Sequence, residues 1–144
     1  MAITTNAICN SFKKELLEAT HNFSNPGGNS FKLAMYTNSA ALGKSTTSFT
    51  TGGQVSSPSG YTSGGKALVN AGTSIATNTA ITDFADLSFV GVTLTARGAL
   101  IYNDTNGDKA VAVLDFGGEK TASAGTFTIQ FPAFTTSAAI LRIA

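Results

Sequence analysis

The chain has 144 residues, one cysteine, one histidine and no tryptophan; 12 % of its residues are charged and its formal net charge is +1. That length suits one ordinary domain with a real core, and ten Phe with three Tyr give too much apolar surface for a disordered polar chain. No Lys/Arg cluster is present to neutralise several phosphates, so nucleic acid is not an expected partner; no run approaches the roughly 18 apolar residues of a membrane span, and a single thiol cannot close an internal disulfide.

The opening Met1-Ala2-Ile3-Thr4-Thr5-Asn6 lacks the basic, apolar and small-residue succession of a secretory leader, so folding in a cytosol is expected. Residues 6–20 form the best helix candidate: Ile8, Phe12, Leu16 and Ala19 recur every three or four positions, and Cys9 and Leu17 widen the stripe. Lys13, Lys14, Glu15 and Glu18 are left for solvent. Cys9 is expected as a small buried hydrophobe, and His21 as a cap on the last turn or a plainly exposed ring.

Asn22–Asn29, with Pro26-Gly27-Gly28, ends the helix and leads to a strand at Phe31–Tyr36, in which Phe31, Leu33 and Met35 alternate. Residues 37–65 are rich in Ser, Thr and Gly and read as an extended surface arm, able to order on contact with another chain, or as a loop carrying a short strand near Ser48-Phe49-Thr50. Gly43-Lys44-Ser45 lacks both the earlier glycine and the following helix of a phosphate loop. Lys66–Asn70 reads as a short strand, Ala71–Asn78 as a loop, and Leu87–Thr95 as a strand whose alternation slips at Val90-Gly91, the mark of a bulge. Asp83 and Asp86 read as turn or edge carboxylates.

The firmest local signal is the stretch from Ala96 to Phe116. Apolar arms at Ala99–Tyr102 and Ala110–Leu114 flank Asn103–Lys109, predicting an antiparallel hairpin that turns near Asn106-Gly107 and is covered on both faces. A polar connection follows at Gly117–Gly125. The strand Thr126–Pro132 then sets Phe127, Ile129 and Phe131 on one face, and residues 138–143 supply a last strand. The whole predicts a mainly β fold over residues 1–144, an antiparallel sandwich or barrel of jelly-roll type with one short N-terminal helix.

Asp104, Asn106 and Asp108, with Asp115 further on, approach the oxygen spacing of a calcium loop. Lys109 replaces the usual glycine, however, and strands replace the flanking helices, so a solvated turn without metal is the expectation. No nucleophile elbow, zinc motif, dinucleotide fingerprint or paired-cysteine site occurs; neither catalytic residues nor a cofactor are expected.

From about residue 30 to the end, the succession Phe31–Tyr36, Gly60–Gly65, Thr95–Asn103, Ala110–Gly118, Ala124–Phe131 and Ala139–Ile143 resembles a family of small virion proteins of tailed bacteriophages. The resemblance implies a non-enzymatic structural role, as a capsid cement or decoration protein or alternatively a head–tail connector or tail component. It also implies residence in the virion after synthesis in the host cytoplasm, partners among the major capsid or other virion proteins, and a homo-oligomer, specifically a trimer. The stripe Ile8, Phe12 and Leu16 and the strand face Phe127, Ile129 and Phe131 are the candidate buried interfaces. A carbohydrate-binding β-domain is the alternative from another functional class.

Overall fold

In a computed structural model that describes residues 3–56 and 59–144, two antiparallel sheets and one short helix account for the regular structure. Met1, Ala2, Ser57 and Pro58, from the opening and the Ser/Thr/Gly-rich segment, lie outside the described residues. The elements are β1 (Ala7–Ile8), α1 (Asn10–Leu17), β2 (Phe31–Tyr36), β3 (Lys66–Ala67), β4 (Asn70–Ala76), β5 (Thr79–Phe84), β6 (Leu87–Asn103), β7 (Lys109–Ile129) and β8 (Leu141–Ile143). One sheet has the order β1-β7-β6-β2-β3 and the other β4-β5-β8. Neither closes into a barrel.

The expected hairpin is the spine of the first sheet and is longer than its apolar arms. β6 has 17 residues and β7 has 21, so the polar Gly117–Gly125 stretch is strand and not a connection. Its residues carry no apolar alternation because most are exposed, and pairing of Lys120, Thr121, Ala122 and Gly125 with β6 orders the stretch in its place, with a bulge at Gly117–Glu119. The predicted slip near Gly91 is present: the register shifts between Phe89 and Val92, and Gly91 has φ 67°. Around the turn, residues of both parities are buried, including Leu100, Ile101, Val111 and Val113, so the chain itself covers both faces.

The helix begins later than the apolar periodicity suggested. Ala7 and Ile8 pair with Val113 and Ala112, and the Cys9 N–H donates to Val111 O, because strand pairing satisfies this backbone where a first helical turn would leave it open. At the other end Ala19 turns left-handed at φ 59°, and the Thr20 N–H closes back on Glu15 O. Leu17, expected in the buried stripe, is 91 % exposed.

Residues 37–65 are not a detached arm. They run along the free edge of β2, where Val55 N–H donates to Met35 O and Thr37 N–H to Gly53 O, and they cross to the hairpin tip, where Ala110 N–H donates to Thr47 O. The short pairing expected near Ser48 occurs there, as a bridge to Lys109. Three tyrosines of the core fasten the segment: Tyr36 Oη donates to Thr50 O, Tyr61 Oη accepts from Met35 N–H, and Tyr102 Oη donates to Gly64 O. Burial removes these rings from water while each hydroxyl keeps a polar partner.

The second sheet was partly missed by sequence pattern. Ala71–Asn78 is not a loop: β4 lies at a sheet edge with nearly all its residues exposed, so it shows no apolar alternation, and the Thr77-Asn78 turn joins it to β5. β8 is shorter than expected and pairs Leu141 with Thr82. The two sheets meet through Phe84 on β5, whose ring lies 5.8 Å from Phe31 and 5.6 Å from Phe131, centroid to centroid.

The hairpin turn itself gives a test. Gly107 has φ 67°, and a Cβ placed there would meet nothing within 4 Å. Gly107→Val should therefore cost about 1–2 kcal/mol through backbone conformation alone, and Gly107→Asn clearly less, as read from urea unfolding midpoints.

Candidate functional site

The calcium-like residues do not gather. Asp115 pairs with Arg97 and accepts from the Gly117 N–H, while Asp104 lies 3.8 Å from Lys32 Nζ. Asn106 Nδ2 points inward, donating to Thr20 O at 2.6 Å. Among the described residues no group of three or more His, Cys, Asp or Glu side chains could hold a metal.

What the turn builds instead is a buried polar network centred on Asn103, the last residue of β6. Its Oδ1 accepts from the N–H groups of Thr105 and Asn106, both at 3.1 Å, and its Nδ2 lies 3.0 Å from both Asn29 Oδ1 and His21 Nδ1. With Oδ1 committed to the turn, Nδ2 can only donate, so His21 Nδ1 accepts and the ring proton sits on Nε2, 2.9 Å from Glu15 Oε1. Lys109 Nζ stands 3.7 Å from the other Glu15 oxygen. The expectation of an exposed or capping His21 is thus overturned, as is that of a solvated Glu15, because each buried polar group here completes the other's hydrogen bonding. Asn29 and Asn103 were also overlooked. The only sequence signal for them was the density of Asn around both turns, at positions 22, 25, 29, 103 and 106.

Cys9 is fully buried, and burial together with the Glu15 carboxylate pushes its thiol up to about 11, an inert state. The Gly43 region forms a tight turn in which Thr46 N–H donates to Gly43 O, and Lys44 O receives Asn10 N–H. Asp86 accepts from the Phe131 N–H, as an edge carboxylate would, but Asp83 is 1 % exposed and its Oδ2 has no partner among the described residues.

Two grooves collect the candidate interface residues. Ile8, Phe12 and Leu16 line one of about 600 Å³ together with Leu17, Ile81, Leu141 and Ile143. Phe127, Ile129 and Phe131 line another of about 730 Å³ with Phe116, Asn6, Lys120 and Ile140. The chain divides them where it enters β8, since Ile140 lines the second groove and Leu141 the first. Within each candidate set, some side chains also serve the core: Phe12, Phe127 and Ile129 are buried, whereas Ile8 is 39 % exposed. No family model matches the chain, and neither curated proteins nor solved structures give a match.

Burial holds the Asp83 carboxyl above the usual carboxylate range, outweighing the hydrogen bonds that favour its charged form. The native state therefore keeps a proton that the unfolded chain releases, and stability contributed at Asp83 falls as pH rises from the ordinary carboxylate value to the raised one. Asp83→Asn should remove this slope while keeping an acceptor for the Phe84 N–H; unfolding both proteins across that acidic window measures it. Asn103→Ala should cost about 3 kcal/mol or more by orphaning several buried groups at once, as chemical denaturation would show.

Proposed function

We propose that the protein is a non-enzymatic structural component of a tailed-phage virion, a cement or decoration protein that fastens capsid subunits as a homo-oligomer, specifically a trimer. The observation that carries this reading is the groove between α1 and the second sheet, where large apolar side chains collect at the surface. Leu17 is 91 % and Ile143 63 % exposed beside the partly exposed Ile8. Contiguous apolar surface of this kind favours being covered by another protein surface. A low net charge leaves little repulsion between copies, and closed symmetry limits their association to a finite particle. In architecture the same reading takes the second sheet as the other layer of a sandwich, joined to the first through Phe84.

Head–tail connector and tail roles use the same surface and differ only in where the copies sit. The carbohydrate-binding alternative would draw on Phe116, Phe127 and Phe131. Phe127 is buried, though, and its ring is tilted 43° against Phe116 at 5.8 Å, which offers no flat platform for a sugar ring.

Leu17→Lys combined with Ile143→Lys should leave folding intact, since both side chains are exposed, and should weaken self-association by about tenfold or more. Sedimentation of the two proteins measures this. A map of the whole virion then tests the station: copies bridging capsomers support cement, a ring at the portal or along the tail supports the other roles, and absence from the particle overturns the reading.

A further inference from the structure

The distal half of β7 is a strand edge left without a partner. β1 pairs with β7 only opposite Ala112 and Val113, and β2 pairs with β6 only from Gly98 to Asn103. Beyond these limits β6 and β7 continue as a ribbon of two strands, with Leu87 facing Ile129, Ser88 facing Thr128 and Phe89 facing Phe127. Among the described residues, the backbone of Phe116–Ile129 makes no hydrogen bond to another backbone outside this ribbon. In antiparallel pairing every second residue directs its N–H and C=O away from its partner, so this edge presents a row of open donors and acceptors.

A groove adjoins this part of β7. Thr126 and Thr128 line it together with Phe127 and Ile129. Phe116, Lys120 and Ile140 complete its lining. Asp115, the carboxylate that lines it, is already held by Arg97, and among the described residues the Lys120 ammonium has no ion-pair partner, which makes it the charge that can select a ligand.

From this geometry we infer that the β7 edge is a strand-accepting slot, whose occupant is an extended peptide segment of another protein, apolar at alternate positions and carrying a carboxylate where it meets Lys120. Backbone hydrogen bonds to Thr126–Ile129 give the affinity, and the apolar walls read every second side chain. The contrast with the rest of the molecule supports this. The chain's own residues 37–65 close the edge of β2 and reach the β7 edge at Ala110, but go no further along β7. The slot is argued from this chain alone and is independent of the virion reading.

The test uses the full chain and a short synthetic peptide alternating valine and threonine with a terminal aspartate. Hydrogen exchange of Thr126–Ile129 should slow on addition of the peptide, and proline at a central position of the peptide should weaken binding by about tenfold or more, because it removes a donor to the edge. Lys120→Glu, at an exposed site, should shift preference toward the same peptide ending in lysine. Four results would each overturn the inference: no protection at millimolar peptide; binding indifferent to the proline; protection that appears with protein concentration alone, which assigns the edge to a second copy; or displacement of the peptide by a malto-oligosaccharide, which makes the groove a sugar site.

Discussion

One buried side-chain amide holds together the parts of this molecule that sequence keeps far apart. Asn103 closes the hairpin turn with its oxygen and reaches the helix exit and the loop at Asn29 with its nitrogen. An amide in this position can be withdrawn from water only if both its ends are satisfied, since an orphaned buried group costs about 1–3 kcal/mol. That requirement fixes the placement of His21 and, through it, of Glu15. It also fixes where aromatic rings can pack: His21 lies 4.8 Å from Phe12, and Phe23 stacks on Phe31 at 4.4 Å, so the apolar cluster that joins the two sheets grows outward from a polar centre.

Edges are managed unevenly around this centre. On the β2 side the chain folds its own polar segment back along the sheet and secures it with tyrosine hydroxyls, a solution that needs few apolar residues because backbone pairing supplies most of the contact. On the opposite side β1 protects β7 over a short distance and the second sheet offers only the brief β8. The apolar groove at α1 and the unpaired ribbon margin both lie where the chain has stopped covering itself. That distribution, more than any single residue, is what the proposed contacts draw on.

Sequence made the buried strands of the first sheet legible, while the exposed β4 and the short, polar-interrupted β5 stayed illegible. Phe31–Tyr36, the hairpin arms and the Gly91 bulge all announce themselves because their residues answer to a core with a fixed period. β4 and residues Gly117–Gly125 have no such face to satisfy; their partners, and not their own composition, make them strands. The same limit explains the site. The apolar stripes at Ile8, Phe12 and Leu16 and at Phe127, Ile129 and Phe131 were visible as periodicity, and each does gather at one groove. Burial of Glu15, His21 and Asn103 was not visible, because it depends on a meeting of residues that lie more than 80 positions apart.

The long hairpin also contains a discontinuity that separates its two halves. Between the pairs Gly98–Asp115 and Ala96–Lys120, the single residue Arg97 stands opposite Phe116, Gly117, Gly118 and Glu119. In a regular ladder, losing or gaining one residue would turn every later side chain to the wrong face. A surplus of chain at this point acts as slack, able to take up a length change as a smaller or larger bulge. The turn-proximal half, locked to the Asn103 network, and the ribbon beyond are in this sense separate registers on one strand, so a change of length in the outer half need not shift the pairing next to the turn, although its buried Leu87, Phe89, Phe127 and Ile129 still belong to the common core.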